Sequence, residues 1–285
     1  MPVIDGVVSL ADGRNVGVVE HGDPRGRPVL LFHGSPSSRL GHEFSDAPAR
    51  ARGIRVVCPD RPGIGRSDPS DYRRIADSAR DVAALADALG IDRFAVLGYS
   101  GGGPYALAAA ALLTERVEAV GLMAGTGPLD RPGARAGLTR SDALILDLST
   151  RRVWAAHVVL RAVATYSRLF PRIAMRVARA ELNDSDRQAF EERGSAVMRS
   201  FNEAFRQGPA GVIQDYRLLD APWGFDLSAV QATVHLWHGE DDTVVPIIDS
   251  EEMAAALPNA VLHRVPGAGH VSIQHEIGAI LDALT

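Results

Sequence analysis

Residues 94–113 read FAVLGYSGGGPYALAAAALL. A short apolar run of β type breaks at Gly98-Tyr99-Ser100-Gly101-Gly102 and resumes as an alanine-rich helix, the strand, sharp turn and helix of a nucleophile elbow. A side chain carried on so tight a turn is held in a strained backbone conformation, and Gly98 and Gly102 remove Cβ atoms that would collide with it. The turn would present the Ser100 hydroxyl at the carboxyl end of a strand. It would also place the Gly101 N–H at a helix start, where an unpaired amide and the helix dipole favour an oxyanion. A glycine-rich phosphate loop is the competing reading of the turn alone, but the chain has no lysine and so no Walker loop.

Outward from this stretch, compact apolar runs at 29–32 and 54–58 each end in a loop, His33-Gly34-Ser35-Pro36 and Pro59-Asp60-Arg61-Pro62-Gly63, as buried parallel strands do. Two further β-type runs, 3–10 and 15–20, flank Ala11-Asp12-Gly13-Arg14 and predict an amino-terminal hairpin. Between 72 and 89 the apolar positions fall at helical spacing, with Ser70 and Asp71 placed to cap the start and Gly90 behind. Another strand is predicted at 117–123. Alternating strands and helices call for an α/β fold, a mostly parallel central sheet with helices on both faces, whose ligand site lies beyond the carboxyl ends of the strands.

The alternation stops at Gly125-Thr126-Gly127-Pro128. Residues 130–223 read as helices only, predicted at 141–148, 153–169, 172–180, 184–205 and 211–219, arginine-rich and scattered with aromatic side chains such as Trp154, Tyr166 and Phe201. Strands return at 233–238 and 261–265, with helices at 248–257 and 271–284. The organisation that follows is a core made of 1–125 and 224–285, with a helical cap inserted at 126–223. Apolar cap residues that face the sheet would bury an apolar part of a substrate.

With 285 residues, 46% hydrophobic and 23% charged, the chain can bury the core of one sizeable α/β domain with an insertion or of two small domains. A formal charge of -5 argues against a nucleic-acid partner and leaves a small-molecule substrate as the expected one. Cys58 is the single cysteine, so no internal disulfide forms and a reducing compartment is expected. The amino terminus has no basic stretch leading into a long apolar one, and nothing approaches the ~18 apolar residues of a membrane span. These features predict a cytoplasmic protein.

A serine hydroxyl becomes a good nucleophile when a base within hydrogen-bond reach takes its proton, and that base needs a third group to orient it. Downstream, Gly239-Glu240-Asp241-Asp242 places three acids at a strand end, and Pro266-Gly267-Ala268-Gly269-His270 places a histidine on a glycine loop. The order Ser, Asp, His is that of the hydrolase elbow. Together these pieces resemble the serine hydrolases of the α/β-hydrolase fold, in the branch that holds cap-bearing esterases and cofactor-free haloperoxidase-like enzymes. The matching segments are His33-Gly34 with Pro36, Asp60-Arg61-Pro62-Gly63 with Gly65 and Ser67, the elbow itself, Gly239 with Asp242 and Pro246, and Gly269-His270.

The resemblance implies Ser100 as nucleophile, His270 as base and Asp242 as the orienting acid, with Asp241 its competitor. It also implies that the Ser35 backbone N–H joins that of Gly101 as oxyanion donor. Tyr99 beside the nucleophile, Met123 at a strand end and His33 at the head of the oxyanion loop are candidates to shape the pocket. His270 and His275 are five apart and no HExxH occurs, so neither a metal nor another cofactor is expected. Similar epoxide hydrolases and haloalkane dehalogenases carry aspartate at the elbow, and serine at position 100 sets them aside. The expected activity is cleavage of an ester-like bond in a small apolar substrate through an acyl-enzyme. Perhydrolase, lactone, thioester and carbon–carbon hydrolysis stay open. The alternative is a ligand-sensing protein on an intact hydrolase scaffold.

Overall fold

Successive side chains of a strand point to opposite faces, so strands that are apolar at every position need cover on both. The computed structural model, which describes residues 4–131, 133–180 and 182–285, shows how this chain supplies it. One sheet contains β1 (Ile4–Ser9), β2 (Asn15–Gly22), β3 (Arg27–Phe32), β4 (Ile54–Pro59), β5 (Phe94–Tyr99), β6 (Val117–Met123), β7 (Thr233–Gly239) and β8 (Ala260–Val265). Their order is β1-β2-β4-β3-β5-β6-β7-β8; β2 is antiparallel to both neighbours and the strands from β4 to β8 are parallel. The helices in chain order are α1 (Asp46–Ala51), α2 (Ser78–Ala88), α3 (Gly103–Leu112), α4 (Arg140–Arg151), α5 (Val153–Leu169), α6 (Pro171–Ala180), α7 (Asp184–Ala204), α8 (Ala210–Asp220), α9 (Ile248–Ala256) and α10 (Ile277–Leu284).

Strand alternation divides the core in two. Leu30, Phe32, Phe94 and Val96 pack with α2, α3 and α9, while Val29, Leu31, Ala95 and Leu97 pack with α1 and α10. α3 is buried from Gly103 to Ala111, and its alanines let β5, β6 and α2 approach closely. Between β6 and β7 lie α4 to α8, an insertion without a strand among the described residues. Polar contacts pin it to the core: buried Arg39 bridges Asp60 at 2.7 Å and Glu203 of α7 at 2.8 Å, and the Ser38 N–H donates to Ser200 Oγ at 2.9 Å. No helix among the described residues is long and apolar enough to cross a membrane.

The structure differs from the sequence reading at several boundaries. The helix expected from 72 begins at Ser78, after a 3-10 turn at Ile75–Asp77, because the Asp77 carboxylate rather than Ser70 or Asp71 takes the preceding N–H groups, those of Arg73 at 2.8 Å and Arg74 at 3.1 Å. The helix expected over 271–284 starts as a 3-10 turn, Ser272–Glu276, and becomes α-helical only at Ile277. There the N–H groups of residues 270 to 272 are taken up by a carboxylate of the insertion. α1 and the 3-10 stretch Arg39–Ser45 carried no periodic signal, and Val3 of the first predicted strand lies outside the described residues.

Candidate active site

The elbow stands at the end of β5, near the middle of the sheet. Ser100 has φ +53°, the left-handed region that side chains rarely occupy. A Cβ on Gly102 would lie 2.1 Å from the Phe32 carbonyl oxygen, so only glycine lets the turn sit this close to β3. The sharp reversal lifts Ser100 Oγ to 3.0 Å from His270 Nε2.

His270 is carried on the loop after β8, and its Nδ1 donates to Asp242 Oδ2 at 2.8 Å. That bond fixes the ring proton on Nδ1 and leaves the Nε2 lone pair facing the serine hydroxyl. Asp242 is buried on the loop after β7, while Glu240 and Asp241 are exposed. Its other oxygen accepts the N–H groups of Val244 at 2.8 Å and Val245 at 2.9 Å. Burial pushes the Asp242 carboxyl up, yet His270 and the hydrogen bonds from His238 and His270 pull it far below the usual carboxylate range. Burial likewise pushes His270 down, but Asp242, with Asp186 and Asp142 farther off, holds it above the ordinary histidine value. His238 braces the acid from behind: Nε2 donates to the Val245 carbonyl at 2.8 Å and approaches Asp242 Oδ2 at 3.4 Å, while the Ser250 hydroxyl donates to Nδ1 at 2.7 Å.

A second carboxylate holds the histidine loop. Asp186, fully buried in the first turn of α7, accepts the His270 N–H on Oδ2 at 2.8 Å. Its Oδ1 accepts the N–H groups of Val271 at 2.8 Å and Ser272 at 2.9 Å and the Ser272 hydroxyl at 3.0 Å. A Cβ at Gly269 would sit 2.5 Å from this carboxylate, which explains a glycine immediately before the histidine.

A third carboxylate holds the loop after β3. Arg61 forms a two-pronged pair with Asp215 of α8, Nε to Oδ1 at 2.8 Å and Nη2 to Oδ2 at 2.7 Å, and both side chains are buried. Tyr105 OH donates to Asp215 Oδ1 at 2.8 Å, and the Ser35 hydroxyl donates to Oδ2. Arg61 also donates to the carbonyls of His33 and Gly34, the latter at 2.9 Å, and to Ser35 Oγ at 2.7 Å. The loop is thus braced through its carbonyls and one side chain, while Gly101 lies at the start of the 3-10 turn Ser100–Gly102, where N–H groups have no intrahelical acceptor. Gly101 and Ser35 are close neighbours, since a Cβ at Gly101 would lie 2.7 Å from Ser35 Oγ.

Ser100, His270, Ser35 and Gly101 border a cavity of about 800 Å³ beneath the insertion. Its walls are mainly apolar, with Leu129, Leu146, Leu160, Phe190, Met198 and Leu219 among them. Tyr99 lines it and donates from OH to the His270 carbonyl at 3.1 Å. Met123 and His33 do not line it. Met123 turns to the opposite core beside Trp237, and His33 is buried with Nδ1 toward the Gly34 carbonyl and Nε2 accepting the Arg61 N–H at 3.3 Å. Burial, with the Arg61 charge nearby, holds His33 well below its ordinary pKa, so it braces the loop as a neutral ring. No motif singles out His42, yet it borders the cavity with neither ring nitrogen hydrogen-bonded, and burial pushes its pKa down to about 3.

The sequence matches the family described as alpha/beta hydrolase fold over residues 27–274. The chain belongs to the α/β-hydrolase family. This hydrolase is 28% identical over 276 residues to a non-heme chloroperoxidase of Streptomyces lividans, covering 93% of this chain and 92% of the relative. It is 28% identical over 270 residues to a 2-hydroxymuconate semialdehyde hydrolase of Pseudomonas putida, covering 93% and 88%. Among solved structures, a thermophilic esterase from Thermogutta terrifontis superposes with a TM-score of 0.71 at 21% identity, covering 98% of the hydrolase and 96% of that chain.

Proposed function

We propose that this hydrolase cleaves carboxylic esters of apolar acids through an acyl-enzyme, with Ser100 as nucleophile, His270 as general base and acid, and Asp242 as the group that orients and stabilises the imidazolium. The observation that carries the reading is the continuous path from Ser100 Oγ to His270 Nε2 at 3.0 Å and from Nδ1 to Asp242 Oδ2 at 2.8 Å. Ser100 Oγ attacks the ester carbon as its proton moves to Nε2, and the carbonyl oxygen gains negative charge between the Ser35 and Gly101 N–H groups. The intermediate collapses, His270 returns the proton to the departing alkoxide, and an alcohol leaves. Water then loses a proton to His270 and attacks the acyl carbon, releasing the acid and free Ser100. In this reading residues 126–223 act as the cap, whose apolar walls take the acyl chain, and the reduced, buried Cys58 fits a cytoplasmic setting.

The test is p-nitrophenyl ester hydrolysis beside labelling with a fluorophosphonate. Ser100→Ala is expected to lose labelling and roughly 10⁶ of kcat, the loss seen when a triad serine acts as part of a unit. Retained turnover would remove Ser100 from the chemistry, and stoichiometric labelling of the parent with negligible turnover would favour the sensor. The chloroperoxidase relative supports one further reading, perhydrolysis, in which peroxide replaces water on the same acyl-enzyme. Peracid formation from an ester and hydrogen peroxide reads it directly.

A further inference from the structure

α5 is apolar around most of its circumference, yet only one side is packed. Ala156, Leu160 and Ala164 are buried, while Trp154, Val158, Val163, Tyr166 and Leu169 are exposed. Wound at 3.6 residues per turn, Trp154, Val158 and Leu169 fall on one stripe. They are not marginal cases, since Trp154 is 75% and Leu169 67% exposed. Phe170 at the junction and Ile173 and Val177 of α6 are exposed as well. Patches of this kind are uncommon on monomeric proteins and mark interaction sites.

Within α5 and α6 the charge has one sign, and the acids that meet them lie on the neighbouring elements. Between 151 and 180 there are seven arginines and no acidic residue, in a chain of net charge -5. All seven are exposed. Arg151 and Arg179 pair with Asp147 and Glu191, and Arg168 donates to carbonyls of Asn202 and Phe205. Arg152, Arg161, Arg172 and Arg176 form no ion pair among the described residues. On α6 the helical period sets Arg172, Arg176 and Arg179 on one side and Ile173, Ala174 and Val177 on the other.

The patch also meets the cavity. Val159, Val163, Tyr166 and Val177 are at once exposed and part of the cavity wall, so the cavity reaches the surface between α5 and α6.

We propose that the outer face of α5 and α6 docks on an anionic lipid bilayer and that acyl chains pass from the bilayer into the cavity between these two helices. Arginines with an apolar face containing tryptophan, leucine and phenylalanine match a surface that offers anionic headgroups above an apolar layer. A two-fold dimer through the same patch would join like to like and set arginine against arginine. The docking stands independently of the chemistry, whereas passage of a substrate rests on the ester-hydrolase reading.

The test uses the full chain with vesicles of phosphatidylcholine alone and of phosphatidylcholine mixed equally with phosphatidylglycerol. Trp223 and Trp237 are only 6% and 4% exposed, so a blue shift of tryptophan emission on adding vesicles reports Trp154. Flotation and a blue shift are expected with the anionic vesicles only, and both fall away near 1 M salt, where charges are screened beyond ~3 Å. Arg172→Gln with Arg176→Gln should weaken partitioning roughly 25-fold, about fivefold for each arginine. Leu169→Glu should abolish the binding with an unchanged melting temperature. Absence of flotation at low salt, or a solution dimer that Leu169→Glu dissociates, overturns the docking. Binding measured on Ser100→Ala separates this outcome from any failure of the triad. If the parent docks but hydrolyses a long-chain ester no faster in anionic than in neutral vesicles, the passage between α5 and α6 is overturned while the docking stands.

Discussion

Replacing Asp186 by asparagine tests whether the insertion positions His270, the proposed catalytic base. The carboxylate accepts three backbone N–H groups and a hydroxyl, all within 3.0 Å. An asparagine that keeps its oxygen toward Val271 and Ser272 must turn its NH₂ toward the His270 N–H, donor against donor. One buried N–H left without an acceptor costs about 1–3 kcal/mol, and the remaining bonds lose their charge assistance. A total near 3 kcal/mol corresponds to a fall of roughly 6–12 °C in melting temperature for a chain of this size. Displacing a catalytic group by about 1 Å can cost ~10² in rate, so kcat should fall between about 10- and 100-fold with little change in KM.

The pH profile separates positioning from mere support. His270 must be neutral to accept the serine proton, so activity is lost as pH falls through its pKa, which Asp242 and, at longer range, Asp186 hold above the ordinary 6.5. Removing the Asp186 charge withdraws part of that support for the imidazolium, so the acid limb of kcat/KM should move to lower pH. The assay is p-nitrophenyl butyrate hydrolysis across the acid limb, with melting temperatures in parallel. An Asp186→Asn enzyme that melts earlier but keeps the parental kcat and acid limb would refute a positioning role.

Asp242→Asn should leave the imidazole without its orienting acceptor and lower kcat by about 10⁴, as for a triad aspartate elsewhere, whereas Asp241→Asn should stay within twofold, and steady-state rates compare them. Asp215→Ala strands the Arg61 charge in the interior and is expected to cost about 3–5 kcal/mol in a denaturant titration, with activity falling as the Ser35 loop loosens. Across a series of p-nitrophenyl esters, kcat/KM should rise about fourfold per added CH₂, from ~0.8 kcal/mol each, until the acyl chain fills the cavity.

The elbow was legible because strand, turn and helix are contiguous and the glycine at position 98 has a local steric cause in Gly102 and Gly103, whereas that at position 102 answers to the distant Phe32 carbonyl. The proposed triad could be assembled because each member follows a strand run that announces itself by its apolar character. The supporting carboxylates leave no such trace. Asp186 lies 84 positions from His270 and Asp215 154 from Arg61, and each sits in a helix whose charged residues would ordinarily face solvent. Met123 failed as a pocket candidate for a related reason: a strand end fixes a height above the sheet but not the face a side chain takes, and the alternation of β6 turns it toward Trp237.

These buried carboxylates also limit how a substrate can enter. Asp186 and Asp215 belong to the insertion, but their partners are the histidine loop and Arg61 of the core. Glu203 repeats the pattern with Arg39. Lifting the insertion as one body would leave Arg61 unpaired at 4% side-chain exposure and strip the His270 loop of its acceptor. The loss of a buried partner costs several kcal/mol at each such site. Such an open state would be rare, and it would dismantle the constellation that the substrate must meet. α5 and α6 make no comparable ionic tie to the core among the described residues, and their contacts with the cavity are mainly apolar. On the proposed route, local parting of these two helices would admit substrate at far lower cost, leaving Ser35, Gly101 and His270 in place.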